Sequence, residues 1–147
     1  MNGTTSSDKE PEPGDGSKFA TAVWNGSHLL LVDDEDSFRR FMRRSLERAG
    51  YILHEAQNFD QAADILKRHA INAVLSDITM PGLGGLDLLR FINAEHPNIP
   101  LILITGNPSL ESAAEALRQG AFDYVRKPCS KSDLIEAVGR AIEARSK

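Results

Sequence analysis

Three acidic residues lie at the ends of short apolar runs. Asp33 and Asp34 follow the run 29–32, and Asp77 follows the run 73–76. Each run is typical of a buried strand, and open α/β sheets bind their ligands at the carboxyl ends of such strands. We therefore expect the three carboxylates to lie close together at one edge of a sheet.

Carboxylates that lie within a few ångströms of one another cannot all stay ionised without a positive charge nearby. A divalent cation supplies that charge, and oxygen ligands without His or Cys indicate Mg²⁺, with Mn²⁺ as the alternative. Mg²⁺ is usually bound by one or two carboxylates together with phosphate oxygens. A carboxylate can also act as a nucleophile and form an aspartyl phosphate. The three acids therefore predict a Mg²⁺ site suited to phosphoryl transfer.

Two further polar residues, Thr105 and Lys127, follow the fourth and fifth apolar runs and are expected at the same edge. Phosphoryl transfer depends mainly on positioning and charge neutralisation, which a cation and a lysine supply. The compact ammonium of Lys127 suits one phosphoryl oxygen, and the Thr105 hydroxyl suits another. The second run ends instead at His54 and Glu55, for which we predict no role.

Five apolar runs alternate with five segments of helical periodicity. The predicted strands are 29–32, 51–54, 73–76, 101–104 and 122–126. Continuous apolar runs indicate strands buried on both faces of a parallel sheet, and right-handed crossovers place helices on both of those faces. The expected fold is α/β, a doubly wound five-stranded parallel sheet. The flavodoxin-like strand order 2-1-3-4-5 is common at this size and puts the first and third strands side by side.

The helices are placed by apolar spacing and by residues that can cap them. Asp36 or Ser37 is expected to cap the first helix, and Ser132 or Asp133 the fifth. The inward face of the fourth helix, at about 109–119, is predicted to consist of Leu110, Ala113, Ala114 and Leu117. The first helix carries five arginines, at positions 39, 40, 43, 44 and 48. This basic face is either simply solvated or a docking surface for an acidic partner.

Composition bounds the class of protein. The 147 residues include 41% hydrophobic and 26% charged residues, as in an ordinary globular domain. A formal charge of −4 gives no general attraction to nucleic acid or anionic membranes. The single cysteine, Cys129, excludes an intrachain disulfide and suits a reducing cytoplasm, where we expect the protein. The sequence shows neither a signal peptide nor an apolar run of the roughly 20 residues that span a bilayer.

The chain is predicted to consist of a tail, residues 1–26, and one domain, residues 27–147. The first 17 residues of the tail are mainly small, polar or acidic, with very few residues to bury. Phe19, Val23 and Trp24 interrupt this polarity. The tail is either loosely attached or docks through Trp24 on the domain or on a partner.

Four motifs together resemble the receiver domain of two-component response regulators. They are Val32-Asp33-Asp34, the stretch 77–82 (DITMPG), the stretch 104–106 (ITG) and the stretch 120–128 (GAFDYVRKP). The resemblance covers about residues 28–145. Each motif is common alone, but all four in this order, each at a predicted strand end, are specific.

The resemblance implies a role for each acid. Asp77 corresponds to the phospho-acceptor, which takes a phosphoryl group from the phosphohistidine of a histidine kinase. Asp34 corresponds to a direct ligand of Mg²⁺, and Asp33 to the acid that holds the metal through water. Thr79, two residues after the acceptor, would supply its backbone carbonyl to the metal.

The resemblance also implies a switch. Thr105 corresponds to the switch hydroxyl, Tyr124 to the switch aromatic and Lys127 to the phosphate-binding lysine. The peptide bond before Pro128 is expected to be cis. Such a protein is a signalling receiver that promotes its own phosphorylation and slow dephosphorylation, and is not a turnover enzyme. Phosphorylation would change the surface formed by the fourth helix, the fifth strand and the fifth helix.

The expected partners are a sensor histidine kinase or phosphotransfer protein and an output domain or downstream protein. A homodimer through the fourth helix, fifth strand and fifth helix is a further option. The chain ends soon after the fifth helix, so we expect no DNA-binding or enzymatic output domain within it and no direct nucleic-acid binding. It is either a stand-alone receiver or part of a larger regulator.

Two other classes compete with this interpretation. A haloacid-dehalogenase-like phosphohydrolase also forms an aspartyl phosphate, but it needs an Asp-x-Asp pair and a cap insertion. Here the first two acids, Asp33 and Asp34, are adjacent, and no insertion is evident. A non-phosphorylated adaptor could keep the fold only for interaction, but then the full set of acids with Thr105 and Lys127 would be unnecessary.

Overall fold

The structure, a computed structural model, describes residues 26–106 and 110–146, and in this part of the chain strands and helices alternate. The strands are β1 (His28–Val32), β2 (Ile52–Ala56), β3 (Ala73–Asp77), β4 (Leu101–Thr105) and β5 (Asp123–Arg126). The helices are α1 (Asp36–Arg48), α2 (Phe59–Arg68), α3 (Gly85–Glu95), α4 (Leu110–Arg118) and α5 (Lys131–Ser146). The prediction for the tail, including Trp24, lies outside the described residues apart from Gly26.

The strands form one parallel sheet in the order β2-β1-β3-β4-β5, which confirms the predicted fold class. The chain runs from β1 outward to β2, then returns across β1 to β3. Val32, the last residue of β1, therefore pairs with Ser76 of β3. Because the strands are parallel and in register here, Asp33 and Asp77 follow directly at the same edge.

Side chains of alternate residues in the central strands pack into two separate hydrophobic cores, one on each face of the sheet. Leu29 and Leu31 of β1 pack with α1 and α5, whereas Leu30 and Val32 pack with α2, α3 and α4. All four of these side chains are fully buried. Burying one aliphatic side chain contributes roughly 1.5–3 kcal/mol, so the two cores hold the sheet rigidly between its helices. No helix among the described residues is both long and apolar enough to cross a membrane.

Two predicted helix caps are wrong. Helix α1 begins at Asp36, and Glu35 occupies its N-cap without a side-chain capping bond. Helix α5 begins at Lys131, and its cap is built by a reciprocal pair one turn apart. The Ser130 Oγ accepts from the Asp133 N–H at 3.0 Å, and Asp133 Oδ2 accepts from the Ser130 N–H at 3.2 Å. Several neighbouring polar residues can cap either helix, so the turn geometry decides which of them does.

The predicted inward face of α4 is wrong at Leu117, which is 47% exposed. Ala113 is buried and Ala114 is partly buried, as predicted, but Ala116 is buried in place of Leu117. The spacings 113/116 and 113/117 are both compatible with one helical face, and the small alanines allow a closer approach to the sheet. Leu110, also predicted to point inward, lies outside the residues whose side chains are described.

Candidate functional site

The three predicted acids meet at the carboxyl edge of the sheet. Asp33 is fully buried, Asp77 is nearly so and Asp34 is exposed. One carboxylate oxygen from each lies within 4.8 Å of the others. The adjacency of β1 and β3 in the sheet produces this cluster from residues far apart in sequence.

Backbone amides hold the two buried carboxylates in place. The Glu35 N–H donates to Asp33 Oδ1 at 2.8 Å, and the Thr79 N–H donates to Asp77 Oδ1 at 3.1 Å. The loop after β3 packs closely against this strand end. A Cβ at Gly85 would overlap the Asp77 carbonyl oxygen and would lie 2.8 Å from Leu103 Cδ2, so only glycine fits there. The position of Asp77 is therefore fixed both by the Thr79 amide and by the close packing at Gly85.

Lys127 places its ammonium among the acids. Its Nζ lies 2.9 Å from Asp33 Oδ2, 2.9 Å from Glu35 Oε1 and 3.1 Å from Asp77 Oδ2. The Lys127 N–H donates to the Thr105 carbonyl oxygen at 2.7 Å, which ties the end of β5 to the end of β4. The next peptide bond, between Lys127 and Pro128, is cis, the form that the resemblance implies.

The charges in this cluster shift one another's pKa values. Desolvation lowers the pKa of Lys127, but its bonds to Asp33, Glu35 and Asp77 outweigh that effect and raise it above the ordinary lysine value. Burial raises the pKa of Asp33, partly offset by the Glu35 amide and by Lys127. The bond to Lys127 lowers the pKa of Glu35. One ammonium faces three carboxylates, and Asp34 stands beside them, so negative charge is in excess.

This donor set fits a hard divalent cation. All the candidate ligand atoms are oxygens, which Mg²⁺ and Mn²⁺ prefer and which soft metals do not. The buried Oδ2 of Asp33 is in ion-pair contact with Lys127 but makes no aligned hydrogen bond. A buried carboxylate oxygen with spare acceptor capacity, next to an exposed acid, can accept a hydrogen bond from a metal-bound water. The acidic cluster of Asp33, Asp34 and Asp77 could therefore hold a metal ion.

Thr105 and Tyr124 lie on the β4–β5 side of the site. Thr105 ends β4 and is buried. Tyr124 is half-buried and pairs in register with Leu103, two residues before Thr105. Residues two apart in a strand point to the same face, so Tyr124 and Thr105 share one face of the sheet. That is the face covered by α2, α3 and α4, since Tyr124 packs against their core.

Sequence reasoning missed two residues that contact this site. Glu35 bonds to Lys127, as described above. Arg39 is largely buried, and its guanidinium donates to the Asp33 carbonyl oxygen at 2.7 Å, to Asp36 Oδ1 at 2.8 Å and to Glu55 Oε1 at 3.0 Å. The signal in the sequence was an arginine five residues after the acid pair, in the first turn of the predicted helix. Arg39, one of the five arginines of the basic face of α1, is therefore occupied by contacts within the domain and is not available to a partner.

Comparison with known proteins identifies the class of this domain. The profile of the response regulator receiver domain matches residues 29–139. The chain therefore belongs to the receiver domain family of two-component response regulators. This is a signalling family rather than a family of turnover enzymes, and its members are the class that the sequence motifs predicted.

Individual relatives agree with this family. The chain is 36% identical over 117 residues to the C4-dicarboxylate transport transcriptional regulatory protein DctD of Rhizobium meliloti, covering 80% of this chain and 25% of that protein. It is 38% identical over 114 residues to the DNA-binding transcriptional regulator NtrC of Escherichia coli, covering 78% of this chain and 24% of that protein. The chain thus spans about a quarter of the length of these relatives.

A solved structure shows the same fold. The response regulator receiver domain protein from Clostridium thermocellum superposes with a TM-score of 0.78 at 32% identity. The match covers 82% of this chain and 97% of that one. Unlike the two regulators, this relative is matched over nearly its whole length.

Proposed function

We propose that the chain is a phosphorylation-dependent switch in which Asp77 accepts a phosphoryl group from the phosphohistidine of a sensor histidine kinase or phosphotransfer protein. The observation that carries the proposal is the position of Lys127 Nζ, 3.1 Å from Asp77 Oδ2. An ammonium at that distance from Asp77 can also pair with an oxygen of a phosphoryl group attached to this carboxylate. In the transfer, a carboxylate oxygen of Asp77 forms a bond to phosphorus as the phosphorus–nitrogen bond of the donor breaks.

The residues around Asp77 would hold Mg²⁺, or Mn²⁺ in its place. Asp34 and Asp77 would bind it directly, the backbone carbonyl of Thr79 would add a third ligand, and Asp33 would act through water. When bound, the metal neutralises the carboxylates and the phosphoryl oxygens. Lys127 then binds a phosphoryl oxygen, and the rigid strand ends keep the acceptor oxygen in line with the donor.

Thr105 and Tyr124 would convert the modification into a change of surface. The phosphoryl dianion attracts the Thr105 hydroxyl and the Lys127 ammonium, whose backbones are already joined by a hydrogen bond. Movement of Thr105 frees space on the same face of the sheet for the Tyr124 ring. The surface of α4, β5 and α5 then favours a second conformation. Phosphorylation biases this equilibrium only by its different interaction with the two states.

That surface would act on an output domain or a downstream protein, or would form a homodimer. An ion pair between Asp123 of β5 and Arg140 of α5, at 3.0 Å, lies on it and is half-exposed. A partner protein with charged side chains of its own can form ion pairs with Asp123 or Arg140 in place of the contact between them. The relatives NtrC and DctD are transcriptional regulators by name, and this supports an output in signalling without specifying which output it is.

The test is phosphorylation in vitro with Mg²⁺ and acetyl phosphate, followed by intact mass and peptide mapping. Wild type is expected to gain one phosphoryl group on Asp77, and Asp77→Asn none. Asp60→Asn, at an exposed acid in the first turn of α2, is the matched control and should behave like wild type. Modification of Asp77→Asn at the same peptide, or no modification of wild type, would show the assignment to be wrong.

A further inference from the structure

The ammonium of Lys127 is shared among three carboxylates. It donates to Glu35 Oε1 at 2.9 Å and to Asp77 Oδ2 at 3.1 Å, and Asp33 Oδ2 lies in ion-pair contact at 2.9 Å. The ring of Phe38 covers a further side of the ammonium, with its centroid 4.5 Å from Nζ. Phosphorylation removes the carboxylate charge of Asp77, so the phosphoryl oxygens then compete for the Lys127 ammonium with the two remaining carboxylates, those of Asp33 and Glu35.

Glu35 is the carboxylate that can be displaced most easily. Its side chain is 56% exposed, against 0% for Asp33 and 12% for Asp77. A displaced Glu35 regains water at once, whereas Asp33 would be left as a buried charge without a partner, which is costly. Asp77 itself carries the phosphoryl group and stays in place.

The position of Glu35 is built rather than accidental. Its backbone N–H is bonded to Asp33 Oδ1 at 2.8 Å, and its carbonyl oxygen accepts from the Arg39 N–H at 3.0 Å in the first turn of α1. The Ser37 hydroxyl donates to its other carboxylate oxygen at 3.3 Å. With backbone and carboxylate both held, the side chain reaches across the mouth of the site to a lysine 92 positions later in the chain.

We propose that Glu35 is a positioning residue that occupies Lys127 in the unphosphorylated protein and competes with the phosphoryl group for it. The inference rests on the proposed function of Asp77. Glu35 keeps the ammonium at the site before the donor arrives, and its release is part of the cost of phosphorylation. Weakening this contact therefore makes the phosphoryl-bound state easier to reach.

Two substitutions separate the contact from its charge. Glu35→Gln removes the charge and weakens the bond to Lys127. Glu35→Asp keeps the charge but shortens the side chain by one methylene, so the carboxylate no longer reaches Lys127. Glu47→Gln, at an exposed glutamate on α1, is the matched control. Thermal unfolding of each variant reports on the fold independently.

The experiment measures the apparent Kd of beryllofluoride, a mimic of the phosphoryl group, by calorimetry in Mg²⁺. Both Glu35 variants are expected to bind it about two- to fivefold more tightly than wild type, the factor to which an exposed ion pair corresponds. Glu47→Gln should match wild type. Equal or weaker binding by the Glu35 variants would overturn the inference. So would tight binding by Glu35→Gln with wild-type binding by Glu35→Asp, since charge alone would then explain it. Absence of binding by wild type would overturn the proposed function, and this inference with it.

Discussion

Strand β1 has a group of titratable side chains at each of its ends, and the two groups handle charge differently. At its carboxyl end, Asp33 joins Asp77 around the ammonium of Lys127. At its amino end, His28 Nδ1 lies 2.9 Å from His54 Nε2, and the rings of His54 and His69 lie 4.5 Å apart. The first group combines opposite charges, whereas the second consists of bases alone.

The difference shows in the pKa values. At the acidic end, Lys127 is held in its charged form by the acids around it. At the histidine end, burial and then the neighbouring His69 and His28 lower the pKa of His54, so its neutral form is favoured. The chain thus keeps fixed charge where an anionic ligand is proposed to bind and avoids it at the opposite end of the same strand.

Removing the central cation should have the largest effect on the acidic end. We expect Lys127→Met to lower the free energy of unfolding by about 3 kcal/mol at neutral pH without divalent cations, because breaking a buried ion pair costs roughly 3–5 kcal/mol. Mg²⁺ should restore part of this loss. Urea unfolding in EDTA and in Mg²⁺ measures both values. Lys67→Met, at an exposed lysine of α2, is the control and should be as stable as wild type. A Lys127→Met protein with the stability of wild type in EDTA would contradict the expectation.

Removing the support of the acidic end should have a smaller effect. Arg39→Met deletes the charged donor to the Asp33 carbonyl oxygen and the bonds to Asp36 and Glu55. We expect a loss of about 1 kcal/mol, since two of these acceptors regain water. The apparent Kd for Mg²⁺ should also rise, because the loop that holds Asp33 loosens.

Urea unfolding and Mg²⁺ titration test this second prediction. Arg40→Met, at the exposed neighbouring arginine, is the control and should change neither quantity. An Arg39→Met protein with wild-type stability and wild-type Mg²⁺ affinity would show that Arg39 only solubilises the helix.

The histidine end should give the smallest effect, and one that depends on pH. Because the folded pKa of His54 lies below its ordinary value of 6.5, the unfolded chain binds the proton first as the pH falls. The contribution of neutral His54 to the free energy of unfolding is therefore fully present above about pH 6.5 and is lost as the pH falls through the folded pKa. His54→Gln should make this part of the pH profile shallower, by less than about 1 kcal/mol.

Urea unfolding of wild type and His54→Gln between neutral and mildly acidic pH measures this difference. His96→Gln is the matched control, because His96 contacts Phe91 and lies outside the histidine group. Identical pH profiles for wild type and His54→Gln would show that the histidine end does not disfavour protonation.

Much of the fold was predictable because it follows from local pattern. The continuous apolar runs predicted the parallel strands, and the alternation of runs with helical periodicity predicted the doubly wound sheet, both confirmed by the strand order. Local pattern was a poorer guide to the helices. Leu117 and Ala116 are neighbours that both suit an inward position, and only packing against the sheet selects Ala116. The N-cap positions at Glu35 and Ser130 were likewise missed, because several neighbouring polar residues suit each cap and only the turn geometry selects one of them.

The sequence by itself determined which residues stand at the strand ends, since an apolar run followed by an acid needs no distant partner to be recognised. Asp33, Asp34 and Asp77 are examples. Only the tertiary structure decided what surrounds them. The bond between Glu35 and Lys127 joins residues 92 positions apart, and neither residue has a local pattern that specifies the other. Such contacts arise because β1, β3 and β5 all end at the same edge of the sheet, and strand order is set by packing of the whole domain.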